Sequence, residues 1–216
     1  MGVNSITSSA RFTFFLSTYI VRSSTASICS LEDEFSDLLY KTFIKDYKTI
    51  LTLAKQEESY NQNLTGILNH QYVYEGEKFL QYTKEKFNSF LDFYETYHNK
   101  KLSNKQFKLI GCWINFMKEG DFNPPHVHDG DFSCVLYLDI PDLLKEENKQ
   151  YIGRDPAGPG GIQFTYGEDR NHCVTSINLF PKEGDFFIFP SNLRHVVYPF
   201  KSNCTRVTMS ANIELI

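Results

Sequence analysis

The sequence lacks an apolar run of about 18 residues, the length that a membrane-spanning helix requires, so no segment is predicted to cross a bilayer. It also lacks a strong charge of one sign, because 22 basic and 26 acidic side chains leave a net charge of −4. Domains that bind nucleic acid through its phosphates usually carry a basic excess. Nucleic acid is therefore a disfavoured partner of the whole domain, although a local basic groove stays open.

Paired cysteine motifs are absent as well. The five cysteines are scattered and form no CxxC pair, so nothing indicates a zinc ribbon or a thioredoxin-type redox site. Cys112 and Cys134 lie within apolar, strand-like stretches and are predicted to be buried thiols. Free thiols are typical of a reducing cytosol, and we therefore predict a cytoplasmic protein.

The first part of the chain is predicted to be helical after an extension. Residues 1–30 are rich in Ser and Thr and contain two arginines but no acidic residue. This composition fits an organelle transit peptide, but we prefer an extension with little fold of its own or a first strand packed on the body. Apolar residues at helical spacing predict helices over residues 31–55 and 79–97, joined by a turn-rich connector at 61–74.

The second part of the chain has the character of a β-sandwich or barrel. Short apolar strands alternate there with Gly, Pro and Asp turns. Residues 142–161, charged and then rich in Pro and Gly, are predicted to form a mobile loop near a site mouth. The predicted domains are an extension (1–30), a helical region packed on the barrel (31–106) and a β core (107–216). The predicted strands are 107–117, 133–140, 161–166, 176–180, 185–189 and 206–215.

Three histidines have the order expected of a metal site. His126 and His128 stand at i and i+2, so both are predicted to point to the same face of a strand. His195 follows much later on a different predicted strand and can close a three-point, one-sided site. Imidazole suits iron, zinc, copper or nickel. The alternative for His195 is a buried histidine of the core without a metal.

The last predicted strand carries one cation among hydroxyl groups. Arg206 shares its face by alternation with Thr208 and Ser210. An arginine that points inward requires a partner, and a dicarboxylate ligand could bind its guanidinium in a bidentate manner with help from a hydroxyl. The alternative is an internal salt bridge. Paired histidines, a distant histidine and then an arginine are the order that an iron and 2-oxoacid site requires.

These residues belong to an ordered series of motifs that resembles a known family. The segments WINFMKEGDFNPPHVHDGDFSCVLYL, GPGGIQF, PKEGDFFIFPSNLRHVVYPF and RVTMSANIEL are together similar to 2-oxoglutarate–Fe(II) oxygenases of phages and marine bacteria. Those enzymes are relatives of the prolyl-hydroxylase-like superfamily. The resemblance covers roughly residues 107–215. It implies a double-stranded β-helix, a cupin-like jelly roll, with Fe(II), 2-oxoglutarate as co-substrate and O2.

The resemblance also implies roles for particular residues. His126 takes the place of the first metal ligand and His195 that of the distal one, while Arg206 looks like the partner of the far carboxylate of 2-oxoglutarate. Tyr137 and Asn115 are expected to line the co-substrate pocket. The chain departs from the usual His-x-Asp/Glu pattern at His128. We predict His126, His128 and His195 as the ligands, with Asp131 as the alternative carboxylate ligand.

The function implied by the resemblance is that of a dioxygenase, most often a hydroxylase. Such an enzyme couples the decarboxylation of 2-oxoglutarate to succinate with oxidation of a substrate, here a protein side chain such as proline or a small molecule. Two alternatives stay open: a non-catalytic, cupin-like metal- or ligand-binding module, and a scaffold that has lost catalysis. Arg206 favours the oxygenase, because a simple binding module does not require an inward cation on its last strand.

Overall fold

The computed structural model of the chain describes residues 68, 70–74, 76–99, 101–102, 105–153, 157–166 and 176–216. The predicted extension (1–30) and the predicted helix at 31–55 lie outside these residues. The described residues form two helices and nine strands: β1 (Gln71–Val73), α1 (Gly76–His98), β2 (Phe107–Met117), β3 (Asn123–His126), β4 (Phe132–Asp139), α2 (Asp142–Gln150), β5 (Ile162–Thr165), β6 (Ser176–Leu179), β7 (Phe186–Pro190), β8 (Arg194–Val197) and β9 (Arg206–Leu215).

The strands form two antiparallel sheets. One sheet has the order β1-β2-β9-β4-β7 and the other the order β3-β8-β5-β6. Their inner faces pack on each other, as shown by Phe164 of β5 and Phe189 of β7, whose ring centroids are 4.9 Å apart. Consecutive strands alternate between the sheets over much of the chain, which is the jelly-roll arrangement predicted from the sequence.

Helix α1 covers the outer face of the five-stranded sheet. Within its apolar stripe, predicted over residues 79–97, Phe79, Phe87, Phe90 and Leu91 are buried. Phe90 contacts Phe132 of β4 edge to face with ring centroids 5.0 Å apart, and Phe87 contacts Phe186 of β7 at 5.6 Å. These aromatic contacts fix the sheet on its outer side, so that the inner face is left for the site.

Two segments differ from the sequence-based expectation. The connector predicted at 61–74 contains β1, which pairs antiparallel with β2. The loop predicted at 142–161 begins with α2, whose one fully buried side chain, Leu144, anchors it to the core. The carboxylate of Glu147 in α2 accepts hydrogen bonds from the backbone N–H groups of Lys201 and Ser202. The helix is therefore attached at both its apolar and its polar face.

The thiols described by the structure are free. Cys112 and Cys134 are buried, as predicted, and Cys204 is half-buried. Burial raises the pKa of the Cys112 thiol to about 12, so this group stays protonated and unreactive at neutral pH. Neither of the two described helices is long and apolar enough to cross a membrane.

Candidate metal centre and co-substrate pocket

A cavity of about 490 Å³ lies between the two sheets. The inward side chains of the five-stranded sheet form one wall, and strands β3 and β8 contribute the other. The register across β1, β2, β9 and β4 places the wall residues in four rows. These rows are Met117–Arg206, Gln71–Asn115–Thr208–Tyr137, Val73–Trp113–Ser210–Val135 and Gly111–Asn212. The first row is buried, and the cavity becomes more open towards the last.

The three histidines predicted as metal ligands lie together in this cavity. His126 of β3 and His195 of β8 are partners in the antiparallel register, which brings their ring centroids to 4.2 Å. His128 follows just after β3, with its ring 4.8 Å from that of His126 and 5.1 Å from that of His195. One nitrogen atom of each ring lies within 4.8 Å of those of the other two. Three imidazoles therefore converge on one point.

Backbone carbonyl groups orient two of these rings. Nδ1 of His126 lies 2.7 Å from the carbonyl oxygen of Pro124, and Nδ1 of His195 lies 2.9 Å from that of Leu193. A carbonyl oxygen only accepts a hydrogen bond, so each Nδ1 carries the proton and each Nε2 keeps its lone pair. Carbonyl groups that fix the tautomer in this way are a usual outer shell of metal-binding histidines.

The local environment keeps the histidines neutral. Burial lowers the pKa of His195 from 6.5 to about 3, and the nearby His126 adds to this effect. Burial and the neighbouring His126 also lower the pKa of His128, to about 4, and burial lowers that of His126 itself. At neutral pH the cluster therefore presents lone pairs rather than positive charges, which is the form that binds a metal cation.

Arg206 lies at the buried end of the same cavity, and some of its N–H groups are left for a ligand. Its Nη1 donates to the carbonyl oxygen of Gly160 at 2.5 Å and its Nη2 contacts Sδ of Met117 at 3.1 Å. Its Nε is buried and has no hydrogen-bond partner. Within the described residues no carboxylate pairs with this guanidinium, so the predicted alternative of an internal salt bridge is not found there. A buried, unpaired N–H group is costly unless a ligand accepts its hydrogen bond.

The remaining residues predicted for the co-substrate pocket line the cavity between the histidines and Arg206. The side-chain amide of Asn115 donates to the hydroxyls of Thr208 and Ser210 at 3.3 and 3.4 Å, and its Oδ1 is buried without a partner. Tyr137 is buried, with its ring centroid 5.7 Å from Cζ of Arg206. Burial raises the pKa of its hydroxyl, so this group stays protonated and can donate to a carboxylate.

Asp131, the predicted alternative ligand, is separate from the histidine cluster. Its Oδ2 accepts the backbone N–H of Leu215 at 2.8 Å, on the edge where β9 ends. Its own backbone N–H donates to the carbonyl oxygen of Ile213. The described acidic side chains contribute no oxygen to the cluster, which consists of three histidines.

Two residues of the site carried no assigned role in the sequence. Trp113 lines the cavity with its ring centroid 5.8 Å from that of His128. Asn123 places its side-chain amide 3.2 Å from Nε2 of His126, where it donates to the lone pair of that ring. Two sequence features could have indicated these roles. Trp113 is the single tryptophan of the chain, and Asn123 directly precedes the two prolines that lead to His126.

These residues fit an iron or similar divalent transition metal together with a carboxylate-bearing co-substrate. Three neutral imidazole nitrogens on one side leave the opposite side of a bound cation open for other ligands. The free Nε–H of Arg206, in the same cavity, provides a site for an anionic oxygen at the other end.

Comparison with known proteins agrees with this geometry. Residues 111–212 match the family model described as "Putative 2OG-Fe(II) oxygenase", a range that includes the three histidines and Arg206. The matched segment is thus similar to oxygenases of the 2-oxoglutarate–Fe(II) type, as predicted, and enzymes of this type use Fe(II), 2-oxoglutarate and O2. No curated protein matches this chain.

Solved structures similar to this chain share little of its sequence. A prolyl-4-hydroxylase from Pseudomonas putida is 15% identical, with 83% of this chain and 86% of that chain covered, at a TM-score of 0.50. This likeness confirms the predicted double-stranded β-helix. The viral collagen prolyl hydroxylase of Paramecium Bursaria Chlorella virus-1 is 16% identical, with 77% and 87% covered, at a TM-score of 0.43. HygX from Streptomyces hygroscopicus, with iron bound, is 9% identical, with 98% of this chain and 87% of that chain covered, at a TM-score of 0.48.

Proposed function

We propose that this protein is an Fe(II)- and 2-oxoglutarate-dependent hydroxylase in which His126, His128 and His195 hold the metal. The observation that supports this proposal is the pairing, in one cavity, of three neutral imidazoles with a buried guanidinium that has a free N–H. A cupin-like module that binds only a metal would require the three imidazoles but not the buried guanidinium. A co-substrate with a carboxylate at each end requires both.

The chain's own residues would bind and orient both cofactors. His126 and His195 would present Nε2 to the metal, because their Nδ1 atoms are occupied by the carbonyl oxygens of Pro124 and Leu193. The amide of Asn123, which now faces Nε2 of His126, would have to turn away. The chemistry supplied by bound iron is activation of O2, coupled to decarboxylation of 2-oxoglutarate to succinate.

Arg206 would hold the far carboxylate of 2-oxoglutarate through Nε and one Nη in a bidentate pair. The protonated hydroxyl of Tyr137 and the hydroxyl of Thr208 occupy the next row and are proposed to donate to the same oxygens. Asn115 lies in the same row and Ser210 in the following one, and we propose that they border the middle of the co-substrate. Burial of this end of the cavity would exclude water and strengthen each charged hydrogen bond.

We infer that His128, rather than Asp131, is the third ligand. The ring of His128 already converges with the other two, whereas the carboxylate of Asp131 is engaged by the N–H of Leu215 at the sheet edge. Moving Asp131 into the cluster would break that hydrogen bond, which holds the last residue of β9. The proposed site of three imidazoles requires no movement of Asp131.

The proposed substrate is a protein side chain or a small molecule. The free thiols of Cys112, Cys134 and Cys204 fit a reducing compartment such as the cytoplasm. The sequence resemblance further suggests a phage or marine bacterial source, and the neighbouring genes would test that.

The test is an anaerobic titration with Fe(II) followed by 2-oxoglutarate, monitored by the visible charge-transfer band of the combined complex. We expect the band in the wild-type protein, its loss in His195→Ala and a far higher 2-oxoglutarate requirement in Arg206→Ala. His70→Ala is the matched control, because His70 is half-buried but hydrogen-bonds to Tyr72 and Lys118 outside the cluster. A folded wild-type protein that gives no band with both ligands would refute the oxygenase and favour the metal-binding module.

A further inference from the structure

The open end of the cavity is bordered by apolar side chains that solvent reaches. Val73 of β1 is 64% exposed and Ile110 of β2 is 44% exposed, and both line the same cavity as His128. Trp113, between them in the sheet, is half-buried. We call these three residues the mouth shelf. Neighbouring exposed apolar groups beside polar residues are typical of a ligand-binding surface.

A β-bulge places Ile110 on this shelf. Leu109 pairs with Ile213 and Gly111 pairs with Asn212, so Ile110 is an extra residue without a partner in β9. Because of this extra residue, Leu109 and Cys112 both face the core under α1, while Ile110 and Gly111 both face the cavity side. Bulges beside active sites commonly redirect one side chain towards the site. Without the bulge, Ile110 would face the same side of the strand as Cys112, towards the core under α1.

Trp113 provides a flat apolar surface next to the histidines. It is the register partner of Val73, and its ring centroid is 5.8 Å from that of His128. The ring also lies over Gly111, where a Cβ atom would come within 3.3 Å of Cζ3 of the tryptophan. The absence of a side chain at Gly111 therefore leaves room for the indole between the bulge and the metal-binding rings.

The shelf is well separated from the position proposed for the co-substrate. Arg206 lies in the first, buried row and is 4% exposed, whereas Val73 and Trp113 lie two rows away towards solvent. Among the three histidines, His128 lies next to the shelf, with its ring centroid 5.8 Å from that of Trp113. A molecule held by Arg206 and the histidines would fill the buried rows and leave the shelf free for a second molecule.

The charges around the shelf restrict what this second molecule can be. Among the described residues that line the cavity, Arg206 is the one cationic side chain, and it is buried at the far end. Asp129 is the one acidic side chain of this described lining, and it lies exposed beside His128. An anionic group at the mouth would therefore meet a carboxylate and no cation. An uncharged group would bury apolar surface of the shelf without any loss of charge solvation.

We propose that the mouth shelf of Val73, Ile110 and Trp113 is the substrate subsite, and that it binds a neutral apolar group, aliphatic or cyclic, carrying the carbon to be oxidised. This inference rests on the proposed function, because the shelf has meaning as a substrate subsite only beside a metal centre. The same apolar group can be a side chain within a peptide or part of a free small molecule.

The experiment measures probe binding to the anaerobic protein loaded with Fe(II) and 2-oxoglutarate. The probes are blocked Gly-Gly-X-Gly-Gly peptides with X as Leu, Pro, Glu or Lys, and the corresponding N-acetyl amino-acid amides. Binding is followed by the shift of the visible band and by the fluorescence of Trp113, the single tryptophan. We expect the Leu or Pro probes to bind about tenfold or more tightly than the Glu and Lys probes. A preference for peptide over amide identifies a peptide source, and equal binding a free small molecule.

Matched variants separate this proposal from the proposed function. Val73→Ser and Ile110→Ser should weaken the apolar probes about fivefold or more while the band and the 2-oxoglutarate affinity stay unchanged. Leu143→Ser and Phe93→Ser are controls with similar exposure, 60% and 44%, on the helices, and should change neither quantity. Equal binding of charged and apolar probes, no binding of any apolar probe, or no effect of the two shelf substitutions would overturn the subsite. A wild-type protein without the band would instead overturn the metal centre itself and the subsite with it.

Discussion

The unpaired donor of Arg206 leads to a quantitative prediction for 2-oxoglutarate binding. A guanidinium has five N–H groups, and the hydrogen bonds to Gly160 and Met117 use one from each Nη. The Nε–H and one N–H of each Nη are left for a ligand, and Nε with one Nη forms the fork that matches a carboxylate. Arg206→Gln removes both the charge and this fork.

The expected loss follows from the two hydrogen bonds. Each hydrogen bond to a charged group contributes about 1.5–3 kcal/mol, so two lost bonds raise the dissociation constant of 2-oxoglutarate by a factor on the order of 10² to 10⁴. Arg206→Lys keeps the charge but not the fork and should lose about tenfold to a hundredfold. Metal affinity should be unchanged, because Arg206 is not among the converging rings.

The assay is a titration of 2-oxoglutarate into the anaerobic Fe(II) protein, with the metal affinity measured separately by equilibrium dialysis. Lys108→Gln serves as the charge control, because Lys108 pairs with Glu214 on the exposed side of β2. Thermal unfolding of each variant shows whether loss of the hydrogen bond to Gly160 has destabilised the fold. An Arg206→Gln protein that is folded and binds 2-oxoglutarate within about threefold of wild type would refute the assignment of Arg206.

Three further predictions concern stability and the ligand set. Because the metal-free folded protein keeps the pKa of His195 at about 3 and that of His128 at about 4, its unfolded state binds more protons below pH 6.5. The free energy of unfolding should therefore fall from pH 6.5 towards pH 3, by up to about 1.4 kcal/mol per pH unit for each histidine, and a flat profile in urea titrations would contradict this. Phe90→Ala, in the core under α1, should cost about 3–5 kcal/mol in urea unfolding, while Phe93→Ala at the exposed surface should cost far less. In equilibrium dialysis Asp131→Asn should keep the metal affinity and His128→Ala should lose at least about tenfold, with the reverse pattern favouring the carboxylate ligand.

The sequence was sufficient for the long strands because their patterns are strong. Strand β2 has the predicted bounds, since its eleven residues form a continuous, mostly apolar segment that ends before the turn at Gly120. Strand β1 was not predictable, because three residues are too few to show a period and the strand forms by pairing with β2. Helix α2 was hidden by its charged composition, since one buried residue, Leu144, attaches it to the core.

The site was partly predictable for a similar reason. His126, His128 and Arg206 were identified because each stands in a local pattern of alternation, and the structure brings them with His195 into one cavity. Contacts between segments that are distant in sequence were not predictable. Trp113 lies beside His128 only because of how the two sheets face each other. The carbonyl group of Gly160 that holds Arg206 comes from a segment whose sequence shows no sign of this contact.

The charges lining the cavity connect the unusual ligand set with the proposed substrate. Three neutral imidazoles would leave both charges of a divalent metal in place, whereas a carboxylate ligand would cancel one of them. The dianion of 2-oxoglutarate would balance the metal, and Arg206 would leave one positive charge in excess. Asp129, adjacent in sequence to His128 and exposed at the mouth, supplies the missing negative charge on the substrate side. Counted over the described lining residues, the loaded cavity would then be neutral, so a neutral apolar substrate is the one that adds no uncompensated charge to it.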